Sequence, residues 1–305
     1  MRVSQKTKKG YEMIITNKLC LPQPFVDAAS SDYVYLPKRY SVTTVLNKGV
    51  MQMMLERRYA DKITEDAADL VWAIFGTAVH SILENSKETD TQIKENKISV
   101  PVGNGYTISG IFDLYDDASG TVVDYKTTSA WKIVHNELDD YRMQILAYAW
   151  MLRQIGFDAK AGEAVIMLKD WSRSKALASH DYPQHPVFVK RWSFGPGDFD
   201  NIERIIRDRF ELIAQCEIVD DEYLPECTPA ERWSTPTTWA VMKPGRKSAL
   251  RVFNDEQSAQ ELAALDPSYE IVVRPGRDVR CDSYCPCAEF CPRVKRIQKE
   301  LEKSV

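Results

Sequence analysis

The stretch "NKISVPVGNGYTISGIFDLYDDASGTVVDYKTTS" constrains the fold more than any other part of the chain. It is rich in β-branched and aromatic residues. It is broken by Gly-Asn-Gly and by Asp-Asp-Ala-Ser-Gly, so it reads as three strands, the last two forming a hairpin. Helical patterns surround it. In "DAADLVWAIFGTAVHSILEN" the residues Ala67, Leu70, Val71, Ile74, Ala78, Ile82 and Leu83 follow the 3.6-residue repeat of an amphipathic helix. "SVTTVLNKGVMQMMLERRYADKI" reads as helix from a cap at Ser41 or Thr43. Residues 139–155 form another helix, stopped by Gly156. "AKAGEAVIMLKDW" and "PVFVKRWSF" read as strands, and "GDFDNIERIIRDRFELIAQC" as a helix capped by Asp198 or Asp200. Strands and helices alternate along the chain, which predicts an α/β fold.

At about 150 residues per domain, 305 residues make one large domain or two small ones. With 44% hydrophobic residues there is material for a real core, and wholesale disorder is excluded. Residues 1–35 hold Pro22, Pro24 and short polar stretches, and are expected to be an extended arm. Residues 36–220 are expected to form the central domain. Residues 221–305 differ in character: "WAVMK", a Pro-Gly turn, "ALRVF", a helix capped by Asn254 or Asp255, and "YEIVVRP" make a small ββαβ module. The net charge of −4 hides a gradient. Residues 1–60 carry ten basic and four acidic side chains, and residues 274–305 carry eight and five, so the middle is strongly acidic. Basic ends around an acidic centre suit a metal site with a polyanion at its rim; scattered solvated charge accounts for the same counts. No apolar run reaches the ~18 residues of a membrane span, and the stretch after the basic N-terminus is too short for a signal peptide. A cytosolic protein is expected. There, seven cysteines suit metal or cluster binding better than a disulfide framework.

The hairpin carries the chemistry. If its turn centres between Ala118 and Ser119, Asp113 and Asp124 face one another across the ladder, with Cβ atoms about 5 Å apart. Lys126, two residues on, shares the face of Asp124. Two facing carboxylates repel unless a cation neutralises them. A hard divalent ion such as Mg²⁺ does so, acidifies a bound water and stabilises phosphoryl charge, while a lysine beside it orients that water or shares the charge. That is an arrangement for hydrolysing a phosphodiester; an Asp–Lys pair on a solvated hairpin is the plainer alternative. On the preceding helix, His80 and Glu84 are four apart and share a face; on the following one, so do Gln144 and Tyr148, with Arg142 nearby.

Gly76-Thr77-x-x-His80 on a helix, Asp113 after a strand, Asp124-Tyr125-Lys126, then Gln144-x-x-x-Tyr148 on a helix resembles, in that order, the RecB-like branch of the PD-(D/E)XK nucleases. Within that branch it resembles phage-encoded and CRISPR-adaptation exonucleases. The resemblance covers roughly residues 36–215, and the cysteine tail extends it to about 295. It implies a restriction-endonuclease-like core, with a mixed central sheet flanked by helices. It implies an Mg²⁺- or Mn²⁺-dependent deoxyribonuclease, an exonuclease by analogy, acting in recombination, repair or phage DNA processing. DNA is then the partner, with a recombinase, helicase or single-strand-binding protein as a further one, and no membrane. His80, Asp113, Asp124 and the Tyr125 carbonyl would bind the metal. Lys126 would be the catalytic lysine, Gln144 and Tyr148 would support the site and the substrate strand, and Glu84 would stand behind the ligands. Phe112-Asp113 replaces the usual Pro-Asp, a change this branch tolerates. The rival from another class is a non-catalytic nucleic-acid-binding protein with a zinc- or iron–sulfur-stabilised tail.

Cys281, Cys285, Cys287 and Cys291 lie within eleven residues, a density that points to Zn²⁺ or an iron–sulfur cluster. Several members of the resembled family carry a [4Fe–4S] cluster that staples three C-terminal cysteines to a remote one. Cys285-x₅-Cys291 matches the end of that pattern, and Cys281 sits one residue further upstream than usual. The remote ligand is Cys20 or Cys227; Cys227 is favoured, because "LPECTPAERW" directly precedes the ββαβ module. The resemblance thus implies Cys227, Cys281, Cys285 and Cys291 as cluster ligands. Cys287 is then a spare, or a ligand if zinc sits within the tail alone. Lys243, Arg246, Lys247 and Arg251 on the module could meet phosphates or simply solvate a hairpin. The tryptophans read as core rather than as base-stacking platforms.

Overall fold

The computed structural model describes residues 14–30, 35–87 and 89–303. The chain packs as two units. The first comprises residues up to Lys48 and Arg57–Val219; the second comprises Gly49–Glu56 and the chain from Asp220 onward.

The first unit begins with β1 (Ile14–Thr16), α1 (Gln23–Ala29), β2 (Arg39–Ser41) and α2 (Val42–Asn47). A strand and a helix therefore stand in the segment expected to be an extended arm; residues 1–13 and 31–34 of that segment lie outside the described residues. Ile14–Thr16 is held by parallel pairing with β3 (Thr64–Asp66). Ser41 caps α2, accepting from the Thr44 N–H at 3.2 Å. The helix expected to run on from there is broken at Lys48-Gly49, and α3 (Val50–Arg58) restarts beyond it. Then come α4 (Val71–Glu84), β4 (Gln92–Gly103), β5 (Tyr106–Asp116), β6 (Thr121–Thr128), α5 (Ala130–Val134), α6 (Asp139–Gln154), β7 (Ala161–Leu168), α7 (Arg173–Ala178), β8 (Val187–Ser193) and α8 (Pro196–Glu217).

The mixed sheet runs β2-β5-β6-β7-β8, with β4 on the other edge of β5. β6 and β7 are parallel; β4–β5, β5–β6 and β7–β8 are antiparallel. One edge of β5 serves two strands. Its first half pairs with β2 at Thr107–Ser109 and its last three residues pair with β6. Between them, at Gly110–Asp113, the edge changes partner, and the site is built at this break.

Helix α6 is buried from Gln144 through Leu152 on every side, because it lies against the sheet on one side and α8 on the other. A helix apolar all round is what such a position demands. Two strand glycines admit it. A Cβ on Gly162 would lie 2.5 Å from Ile145 Cγ2, and one on Gly110 would lie 2.6 Å from Tyr148 Cε1. Helix α8 buries Ile202, Ile206, Phe210, Ile213 and Cys216 along one stripe. Its cap differs from expectation: Gly195 is the N-cap, and Asp198, in the third helical position, reaches back to accept from the Gly195 N–H at 2.9 Å. Helix α4 also departs from its reading. It has no buried residue at all, and Trp72, Phe75 and Ile82 are 58%, 42% and 72% exposed.

The second unit holds β9 (Ser234–Thr235), β10 (Thr238–Met242), β11 (Arg251–Phe253), α9 (Glu256–Ala263), β12 (Glu270–Arg274), β13 (Arg277–Asp278), α10 (Val279–Ser283) and α11 (Pro292–Glu302). The ββαβ pattern is present as an antiparallel sheet of order β11-β10-β12, with Asp255 capping α9 through the Ser258 N–H at 2.7 Å. Around β13, Asp278 joins two guanidinium groups, Arg232 at 3.1 Å and Arg293 at 2.9 Å. The Gly49–Glu56 segment contributes buried Met51, Met53, Met54 and Leu55 to this unit. No helix among the described residues is long and apolar enough to cross a membrane.

Candidate active site

The β5–β6 register is the one the turn implies: Leu114 pairs with Val123, Tyr115 with Val122 and Asp116 with Thr121. Asp113 and Asp124 are the next positions along it. There the ladder has ended, and the Asp113 carboxylate takes the place of a backbone acceptor: the Tyr125 N–H donates to Asp113 Oδ2 at 2.6 Å. A residue's N–H and C=O leave a strand on the same edge, so the Tyr125 carbonyl faces the β5 side too. Helix α4 brings His80 Nδ1 to 3.1 Å from Asp113 Oδ1. Asp124, 2% exposed, lies with its Oδ2 2.7 Å from the Lys126 ammonium. That oxygen is buried, and the ammonium approaches it outside hydrogen-bond geometry. Gln144 is buried one turn before Tyr148 on α6, and the Tyr148 ring lies on Gly110, three residues before Asp113. Arg142 is occupied elsewhere, paired with Asp198 at 2.5 Å.

Glu95 is the residue that sequence reasoning missed. The β4–β5 register pairs Lys94 with Leu114 and Asn96 with Phe112, so Glu95 falls opposite Asp113. Its backbone is left-handed, with φ +45°, a conformation non-glycine residues adopt at a cost and often at functional sites. Its carboxylate comes within 3.8 Å of His80 Nδ1. His80, Glu95 and Asp113 each offer one ligand atom, all within 4.8 Å of one another. Glu84, expected behind the ligands, is exposed at the end of α4 and stands outside this group.

The electrostatics follow from crowding acids under low exposure. Burial pushes the Asp124 carboxyl up to about 6, against the pull of Lys126. Burial, then the neighbouring Asp113 charge, raises Glu95. The hydrogen bond to Asp113 raises His80. Burial raises the Tyr148 phenol. One imidazole nitrogen and carboxylate oxygens are a donor set suited to Mg²⁺ or Mn²⁺. The donors present therefore fit a hard divalent cation.

Gly110→Ala tests the support under Asp113. The added methyl must displace the Tyr148 ring, so a loss of about 1–3 kcal/mol is expected, read as a fall of several degrees in the thermal midpoint. Activity should fall further than stability, since the displaced ring lies beside the Asp113 strand. An unchanged midpoint would show that the ring does not rest on Gly110.

The second unit holds five cysteines, of which two meet; among the described residues no three thiols lie within 4.8 Å of one another. Cys285 and Cys287 lie with their sulfurs 3.5 Å apart, Cys291 Sγ is 3.4 Å from Met51 Sδ, and a Cβ on Gly49 would lie 2.5 Å from Cys227 Sγ. Burial raises the Cys227 thiol. The Cys287 hydrogen bond lowers Cys285 to about 7, and burial raises Cys281 to about 11. Cys20 is exposed and belongs to the first unit.

The fold and site together define a mixed α/β protein with an acidic, metal-competent cluster of His80, Glu95 and Asp113 and an Asp124–Lys126 pair on the neighbouring strand. A family model described as the PD-(D/E)XK nuclease superfamily matches residues 85–292. The chain belongs to that superfamily, and its α/β core is that fold. Among solved structures it is similar to an alkaline exonuclease (LHK-Exo) from Laribacter hongkongensis. The likeness has 10% identity and a TM-score of 0.36, and covers 59% of this chain and 90% of that one. No curated protein matches it.

Proposed function

We propose that this nuclease is an Mg²⁺- or Mn²⁺-dependent deoxyribonuclease that degrades DNA from its ends in the cytoplasm, in DNA recombination, repair or phage DNA processing. The observation that carries the reading is Asp113. One carboxylate sits at the break in the β5 edge, against His80, opposite Glu95 and beside the Tyr125 amide. His80, Glu95, Asp113 and Asp124 would hold the cation, with the Tyr125 carbonyl as a further ligand. When bound, the cation acidifies a water and takes up charge on the phosphoryl oxygens. Lys126, beside Asp124, orients the attacking water or shares the developing charge. Gln144 and Tyr148 support the site, Tyr148 through its ring against the strand that bears Asp113. Seven unpaired cysteines suit a reducing compartment.

The thiols of the second unit supply a soft donor set for an iron–sulfur cluster or Zn²⁺. Cys227, Cys281, Cys285 and Cys291 would hold a [4Fe–4S] cluster, with Cys287 beside Cys285 as a spare. A brown anaerobic preparation with broad absorbance near 400 nm supports the cluster; a colourless, zinc-containing one replaces it.

The deciding experiment is cleavage of linear and circular DNA by anaerobically purified protein with Mg²⁺ or Mn²⁺. Linear DNA should be degraded, EDTA should stop it, and Asp124→Ala and Lys126→Ala should be inactive, the lysine change costing about 10²–10³-fold. An intact circle identifies an exonuclease. Salt-dependent DNA binding without any cleavage would leave a non-catalytic binding protein.

A further inference from the structure

Two tryptophans contradict the expectation that these side chains serve the core. Trp72 on α4 and Trp131 on α5 are 58% and 51% exposed. Each has a lysine against its ring: Lys169 Nζ lies 3.9 Å from the centre of Trp72, and Lys175 Nζ lies 5.6 Å from that of Trp131. The topology puts both pairs at one end of the sheet. β6 and β7 are parallel and in register to Thr128 and Leu168, so Trp131, Lys169 and Lys175 all follow the strand ends on the same side. The loops are tied there: the Lys169 N–H donates to the Thr128 carbonyl at 3.0 Å, and Asp170 accepts from the Ala130 N–H at 2.6 Å. Helix α4 crosses this end with Gly76 near Thr127, which sets Trp72 one turn further along. Lys126 lies two residues before the end of β6, so the pairs stand beside the candidate site.

The rings are held as platforms. Phe75 meets Trp72 edge-on, with centroids 6.4 Å apart. His135 stacks on Trp131 at 5.8 Å and 23° between planes. A cleft of about 240 Å³ opens beside Trp131, lined by Val134, Lys175, Ala178 and Tyr182, too small for a drug-sized ligand. Exposed aromatic faces interleaved with ammonium groups bind unpaired nucleotides: bases stack on the rings and phosphates meet the cations. Duplex DNA keeps its base faces covered and has no use for such rings.

We propose that this sheet end receives a single-stranded DNA segment, with bases stacked on Trp72 and Trp131 and phosphates on Lys169 and Lys175. The proposal rests on the nuclease reading and adds that the strand reaches the site unpaired. The test is binding of labelled oligo(dT), and of an abasic strand of equal length, to the full chain in EDTA. The wild-type protein should prefer oligo(dT), Trp72→Leu and Trp131→Leu should each cost about tenfold on it, and the double change should erase the preference. Trp72→Phe and Trp131→Phe should largely restore it, because a ring face remains. Lys169→Ala and Lys175→Ala should each flatten the slope of log affinity against log salt by about 0.7 while keeping the base preference. Equal binding of the two strands by the wild type overturns the proposal. So does a preference that survives both leucine changes, and so does a base-blind dimer that assigns the face to a second copy. Asp124→Ala should keep the preference. A wild-type protein that prefers oligo(dT) yet cleaves no DNA with Mg²⁺ or Mn²⁺ counts against the nuclease reading alone, and one that cleaves without base preference counts against the stacking alone.

Discussion

Replacing Asp113 with Asn is expected to cut metal-dependent cleavage by about 10³-fold while moving the thermal midpoint by only a few degrees. The charge matters because a bound cation contributes several kcal/mol to transition-state stabilisation, at about 1.4 kcal/mol per decade of rate. The shape survives, because an Asn oxygen can still accept the Tyr125 N–H that Asp113 now holds at 2.6 Å. The amide can then face His80, whose Nδ1 lies 3.1 Å from the present carboxylate. Steady-state cleavage beside a melting curve checks both halves. Wild-type cleavage by the variant would remove Asp113 from the metal site. Glu95→Gln should cost less, about 10–100-fold, if its carboxylate acts mainly by orienting His80 and the ion.

The second large effect belongs to stability. Asp278→Ala should destabilise the second unit by about 3 kcal/mol, because it strips Arg232 of its ion pair under little solvent and leaves Arg293 with Glu226 alone at 3.3 Å. Arg232 and Arg293 side chains are 13% and 19% exposed, and both meet the same carboxylate oxygen. The Ser234 hydroxyl also donates to Asp278. Burial pushes the Asp278 carboxyl up, but the bonds from Ser234 and Arg232 and the two positive charges outweigh it, so its value lies below the ordinary carboxylate range. A depressed folded value means its stabilisation is complete above the unfolded pKa of about 3.9 and is lost as pH falls through the folded one. Melting of the full chain should therefore be flat in this contribution above about pH 5 and weaken below pH 4. The alanine variant should lack that acid-side loss. Hydrogen exchange across residues 220–303 locates the effect; an equal loss of protection in the sheet of the first unit would refute this account.

The order of elements was legible because it rests on local rules. Alternating β-branched runs, a helical repeat and turn glycines each act over a few residues, so the three strands, α6, α8 and the ββαβ pattern follow from the chain directly. The Asp113–Asp124 relation was legible for the same reason: a short turn sets a hairpin's register. Glu95 was not. A register shift between Pro101 and Gly103 moves β4 by one residue, so counting back from the Gly-Asn-Gly turn sets Asn96, not Glu95, opposite Asp113.

What only the tertiary structure decided is what lies against what. The apolar repeat of α4 predicts a buried stripe, yet among the described residues none of its side chains is fully buried, and it brings His80 against Asp113. Periodicity says that a face is apolar; it does not say that another element arrives to cover it. Glycines 110 and 162 look ordinary in sequence, and only the approach of α6 shows that a side chain there would collide with it. The chain by itself determined which groups are able to do the chemistry. The packing of α4 and α6 on a sheet whose β5 edge changes partner determined where they meet, because side chains remote in sequence are brought within bonding distance only by that packing.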